Sequence, residues 1–150
     1  MVKIDTTNYV DTFIAVADDC AAMAGTVPPS RTEPSVAELT HAMIAASPYR
    51  YTSDDVIFTV WADRRGLVPQ DRPVARAQFF AKGQPCLRSS DLGKRYGWGV
   101  HSDSDGRVAV YPVGSTAYAG LGAGVAPSGE AATATRAMRS GRASATSSGR

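Results

Sequence analysis

Cys86 is the residue whose sequence neighbours come closest to those of a nucleophile. Lys82 and Arg88 lie on either side of it. Nearby cations lower a thiol's pKa and favour the reactive thiolate. His101 or His41 would supply the base of a Cys–His pair if the fold brought either to the sulfur. The plain alternative is a buried structural cysteine, since free Cys is among the most buried residue types. No protease signature surrounds Cys86.

A second constellation is Lys94-Arg95-Tyr96-Gly97-Trp98-Gly99, with Arg88 a few residues upstream. Two cations beside two aromatic rings could grip a phosphate and stack on a flat ring. The two glycines would allow a ligand or another backbone to approach closely. Read structurally, the same segment is a strand with its rings in the core and its cations at the rim. Alternation would place Tyr96, Trp98 and Val100 on one face, which is either core or site. Exposure decides: a binding role requires Tyr96 or Trp98 in the wall of a pocket with Arg95 converging on it.

Other chemistries find less support. Gly97-Trp98-Gly99 lacks the third glycine and following helix of a dinucleotide site, and Lys82-Gly83 is no phosphate loop. His41, His101, Cys20 and Cys86 are scattered, without the spacing of a metal site. Asp103-Ser104-Asp105-Gly106 begins like a calcium loop, but Gly114 occupies the twelfth position, where the bidentate Glu belongs. A hairpin turn accounts for these four residues more simply. Asp54-Asp55 would serve acid–base chemistry as a pair, yet at a helix start they read as caps. Ser89 and Ser90 lie in no nucleophile elbow. No cofactor and no metal is implied.

The elements that must position these residues are legible in outline. Tyr9 to Ala17 has strand composition. Gly25, Pro28, Pro29 and Pro34 mark a loop. Ser35-Val36-Ala37-Glu38 has the form of a capping box, and Val36, Leu39, Met43 and Ile44 put an apolar stripe on the helix it opens. Ser47-Pro48 ends that helix. Residues 53–65 conflict: Val56 to Trp61 is rich in strand formers, but Ser53, Asp54-Asp55 and Arg64-Arg65-Gly66 are helix end signals. Three agreeing end signals favour helix. Pro69 to Lys82 is a further helix, stopped by Gly83. Beyond it, Cys86-Leu87-Arg88, Tyr96–His101 and Arg107–Tyr111 read as strands, the last two joined by the Asp-Gly turn. Strand, helices and a strand meander give an α+β fold: a small antiparallel sheet with two or three helices packed on one face.

Composition bounds the rest. The 150 residues are 43% hydrophobic and 20% charged, with a net charge of +2. Residues 1–116 carry 12 Lys and Arg against 13 Asp and Glu, whereas 117–150 carry Arg136, Arg139, Arg142 and Arg150 against Glu130 alone. The basic character therefore comes from the end of the chain, where Ala, Gly, Ser and Thr dominate. This leads to the expectation of one domain over 1–116 and a disordered, low-complexity tail over 117–150. Balanced charge argues against nucleic acid as a partner, and no apolar run is long enough for a membrane span. Two cysteines and no signal-peptide pattern point to the cytoplasm.

Several long stretches carry a family likeness. They include Ile4-Asp5-Thr6-Thr7-Asn8-Tyr9, Gly25-Thr26-Val27-Pro28-Pro29 and Tyr51 to Phe58. The most specific are Phe79 to Ser90, containing Lys82-Gly83-Gln84-Pro85-Cys86-Leu87-Arg88-Ser89-Ser90, and Lys94 to His101. Over about residues 1–118 the chain resembles a family of small uncharacterised bacterial proteins, classed as a domain of unknown function. The resemblance implies one compact domain and supplies no activity. Members of that family end in a short charged helix, where this chain runs into Ala119-Gly120-Leu121-Gly122-Ala123-Gly124.

The leading expectation is a non-enzymatic domain that binds a small anionic ligand or partner through Arg88, Lys94, Arg95, Tyr96 and Trp98. The alternatives are a thiol-dependent enzyme using Cys86 with His101, and a protein-interaction module marked by an exposed apolar patch rather than a cleft.

Overall fold

A computed structural model describes residues 6–139. Four strands form one sheet: β1 (Thr12–Ala15), β2 (Trp98–Ser102), β3 (Val108–Pro112) and β4 (Thr133–Arg136). Their spatial order is β3-β2-β1-β4. β1 runs antiparallel to β2 and β2 to β3, but β4 runs parallel to β1, so the sheet is mixed rather than antiparallel. The α+β class holds. Asp103-Ser104-Asp105-Gly106 makes the expected β2–β3 turn, with the Asp103 carboxylate accepting from the amides of Asp105 and Arg107 at 2.9 Å each and Gly106 at φ 77°.

Helices cover both faces. On one, α1 (Val36–Ala46) and α2 (Ser53–Arg64) pack Ile44, Val56 and Val60 against Ile14, Val100 and Val108. α2 resolves the conflict over residues 53–65 in favour of helix. Its cap is Thr52, one residue earlier than the sequence suggests: Thr52 and Asp55 satisfy each other's amides reciprocally. Such a cap contributes on the order of 1 kcal/mol, and burial of the β-branched middle outweighs its weak helix propensity. Asp54 turns outward from the helix and accepts from Thr6 Oγ1, Thr7 N and Thr7 Oγ1 at 2.7–2.8 Å, pinning the chain ahead of β1. Pro69–Asp71 forms a 3-10 turn that leads into α3 (Arg72–Phe79). Cys86-Leu87-Arg88 is not a strand. Leu87–Ser89 winds into a 3-10 turn that drops Leu87 into the core, and α4 (Asp91–Lys94) follows at once.

The other face is closed by residues beyond 116. α5 (Thr116–Gly122) and β4 lie inside the stretch expected to be a disordered tail. Leu121 is fully buried, together with Phe13, Ala15, Ala126 and Ala132. Small residues make this closure possible because they let backbones approach. A Cβ at Gly99 would overlap the ring of Phe13, which lies edge-on to Tyr118 at 5.0 Å. The low complexity of 117–139 therefore reflects close packing around two large side chains, Tyr118 and Leu121, with an ordered helix and strand. The remainder of the expected tail, residues 140–150, lies outside the described residues.

If residues 117–139 are integral to the fold, Leu121→Ala should cost about 2–5 kcal/mol, the usual range for emptying a fully buried leucine site. Urea denaturation followed by circular dichroism measures this. An unchanged midpoint would mean that the segment contributes nothing to stability.

Candidate functional site

The sequence candidates fall into two separate regions. Trp98 packs against His41 with ring centres 4.5 Å apart and the planes tilted by 55°, and its indole N–H donates to the Thr26 carbonyl at 2.9 Å. The Tyr96 carbonyl accepts from Thr26 N at 2.8 Å. Gly97 has φ +80°, and a Cβ there would overlap the Ala24 carbonyl. The segment Tyr96–Trp98 thus clasps the loop around residues 24–26. Lys94 ends α4, half-buried, and Arg95 is exposed with Asp91 3.8 Å away. Arg88 donates from Nε to the Arg136 carbonyl at 2.7 Å.

Cys86 and His101 are not brought together. The Cys86 sulfur is half-buried and has the Tyr9 hydroxyl as its partner at 3.3 Å. That hydrogen bond, followed by burial, pushes the Tyr9 pKa up. His101 pairs in register with Phe13 and so faces α5, away from α1 and α2. Its Nδ1 is engaged by the Tyr49 hydroxyl at 2.8 Å, which also meets the Tyr111 hydroxyl at 2.7 Å. Burial and the bond to Tyr111 push Tyr49 well above the ordinary tyrosine range. His41 faces Trp98 instead of Cys86. Among the described residues, no group of three or more His, Cys, Asp and Glu could hold a metal ion. No helix there is long and apolar enough to cross a membrane.

A cleft of about 300 Å³ opens on the helical side, between α1, α2 and the 84–90 segment. One stripe of α2 builds its wall: Ile57, Val60, Trp61 and Arg64, spaced three and four apart so that they share a face. Val36 and Thr40 of α1 stand opposite. Cys86, Leu87, Ser89 and Ser90 form the third side. This side is anchored at both ends: the Gln84 amide donates to the Phe79 carbonyl at 2.7 Å, and Met138 N donates to the Arg88 carbonyl at 2.7 Å. The aromatic base is closely packed, with Trp61 and Phe79 4.9 Å apart and Phe79 edge-on to Phe80.

A second hollow of about 420 Å³ adjoins the first and shares Trp61, Arg65, Phe79 and Gln84 with it. A third, of about 290 Å³, lies on the opposite face beside Tyr118 and Arg136. None of these three has Arg88, Lys94, Arg95, Tyr96 or Trp98 in its wall. Of the sequence candidates, Cys86, Ser89 and Ser90 line the first.

The cleft is electrostatically one-sided. Arg64 and Arg65 line it, and no Asp or Glu does. The Arg65 guanidinium lies 4.3 Å over the Trp61 ring. Neither arginine makes an ion pair among the described residues, whereas Arg72 and Arg76 nearby pair with Asp63 and Asp55 at 2.9 and 3.0 Å. In the sequence Arg64-Arg65-Gly66 reads as a helix end. The signal available was the stripe 57, 60, 61 and 64, apolar for three positions and cationic at the fourth.

A model for a family of unknown function, DUF6157, matches residues 4–143, and the chain belongs to that family. The match extends through α5 and β4, past the end of the resemblance read from the sequence. No curated protein and no solved structure matches significantly.

Both histidines are buried, His41 at 8% and His101 at 3% exposure. Burial pushes each pKa down, in His101 against the opposing pull of Asp103, Asp11 and Glu130. His41 Nε2 has no hydrogen-bond partner among the described residues. The unfolded chain therefore binds protons at these sites more readily than the folded one. Stability is complete above the ordinary histidine pKa of about 6.5 and falls as pH drops below it. Urea midpoints at pH 7.5 and 5.5 should differ, and a His41→Asn, His101→Asn double variant should show a smaller difference. An equal difference in both proteins would mean that carboxylates alone set the acid sensitivity.

Proposed function

We propose that this protein is a non-enzymatic binding domain for a small organic anion, and that the ligand occupies the cleft between α1, α2 and the 84–90 segment. The observation that carries the reading is the pairing of an apolar wall with two arginines that meet no carboxylate among the described residues. A ligand pocket of this kind supplies apolar surface for affinity and a few fixed polar groups for orientation. Free guanidinium edges bind carboxylate or phosphate oxygens in a bidentate fork. On this reading Arg88 and Tyr96–Trp98 hold the walls and the adjoining loop, and Arg64 and Arg65 meet the ligand.

A thiol-dependent enzyme needs a base for Cys86, and the sulfur's neighbour is a tyrosine that burial and the bond itself keep protonated. Cys86 serves better as a reporter. It lines the cleft, so an occupied cleft should shield it from iodoacetamide while leaving Cys20 unaffected. Labelling followed by peptide mass analysis, with naphthalene-sulfonate dyes and alkyl carboxylates as probes, should show slower modification of Cys86. Arg64→Ala should weaken that protection several-fold. Protection by no anionic probe, or equal protection in Arg64→Ala, would overturn the assignment.

A further inference from the structure

The adjoining hollow says more about the ligand. It continues the cleft past Trp61 and Arg65 and differs from it in character. The first lobe is walled mainly by Val36, Ile57, Val60, Pro85 and Leu87. The second adds Gln78 and Lys82 to the shared Arg65 and Gln84, again with no Asp or Glu. Lys82, like Arg65, makes no ion pair among the described residues. Two neighbouring cations left without a carboxylate repel each other, and an anion between them removes that repulsion.

Arg65 is the hinge of the arrangement. Its guanidinium lies 4.3 Å over the Trp61 ring, and its N–H donors have no hydrogen-bond partner among the described residues. It stands on the wall common to both lobes. A ligand spanning them would lay an apolar body in the first and set a charged head beside Arg65 and Lys82 in the second. The amides of Gln78 and Gln84 could supply further donors, although Gln84 already spends one on Phe79.

We infer that the ligand is an amphiphilic anion, an acyl or aryl body carrying one phosphate-like or carboxylate head, bound with its body in the first lobe and its head in the second. This rests on the binding reading above and adds the ligand's class and orientation. Both lobes fall within the size range of small-molecule sites. The ligand is taken as a soluble monomer, because hollows of about 300 and 420 Å³ hold a molecule of small-ligand size.

The test uses the full chain and three probes: octyl phosphate below its micelle concentration, octanol, and inorganic phosphate. Isothermal titration measures each at low and moderate salt. Octyl phosphate should bind much more tightly than either fragment, and more weakly as salt rises. Val36→Trp, at an exposed position on the rim of the first lobe, should abolish binding. Lys82→Glu and Gln78→Trp, both exposed in the second lobe, should each weaken it roughly tenfold, the scale of one charge-assisted contact. If Val36→Trp abolishes binding and Arg64→Ala weakens it several-fold while Lys82→Glu and Gln78→Trp leave it unchanged, the head stays at the mouth of the first lobe. The cleft reading then stands and the two-lobe orientation is overturned. If octanol binds as well as octyl phosphate, or Val36→Trp has no effect on binding, the cleft reading itself falls and takes this inference with it.

Discussion

The fit of Phe13 over Gly99 is the contact on which the rest of the molecule depends. β1 is central and short, only Thr12–Ala15, and it is covered on both faces. Ile14 goes to the α1–α2 side and Phe13 and Ala15 to the other. Phe13 finds room because its neighbour on β2 has no side chain; Tyr118 then meets its ring, and the Tyr118 hydroxyl oxygen accepts from the Val16 amide at 2.9 Å. α5 is thereby set against the sheet, and the chain beyond it returns beside β1 as β4. From the end of β4, Ala137 N reaches the Ala15 carbonyl, Met138 N the Arg88 carbonyl, and Arg88 Nε the Arg136 carbonyl. Those last bonds fix one side of the cleft. The packing of one face therefore positions a wall on the other, through a strand that borders both.

This dependence also separates what was legible in the sequence from what was not. Helix α2 was legible despite its strand formers, because caps and charged ends act locally and three agreed. The β2–β3 turn was legible because Asp-Gly chemistry is local too. α5 and β4 were not. Their burial comes from two large residues and from closeness allowed by Ala and Gly, and closeness is a property of the partner surface. Composition alone then reads as disorder. The Cys86 segment failed for a related reason: Leu87 enters the core from a 3-10 turn, which has no periodic signature in three residues.

The candidate site shows the same limit in sharper form. Trp98, Arg95 and Lys94 look like a binding motif because cations and rings are adjacent in sequence. In space the ring is consumed by His41 and Thr26, and the cations disperse. Arg64, Arg65 and Lys82 look like helix ends in sequence. In space they gather around a cleft formed by residues from four separate segments. Adjacency along the chain suggests one grouping, and helix face with tertiary closure brings together another.

Arg64 and Arg65 meet no carboxylate among the described residues: Arg64 donates from Nε to the Pro34 carbonyl at 3.4 Å, and Arg65 lies over Trp61. Arg72, Arg76 and Arg136 each meet a carboxylate at 2.9–3.2 Å, and their charge is spent within the fold. Exposed pairs of this kind contribute little stability, often under about 1 kcal/mol, so leaving Arg64, Arg65 and Lys82 unpaired costs the fold little. Keeping every acidic side chain out of both lobes has a different consequence. It leaves a positive potential beside an apolar surface that a closely packed aromatic base holds open. Water alone satisfies the charges but not the apolar wall, and a neutral apolar molecule does the reverse. Only a molecule with both characters relieves both at once, which makes the juxtaposition, more than either feature alone, the ground for assigning the cleft to an amphiphilic anion.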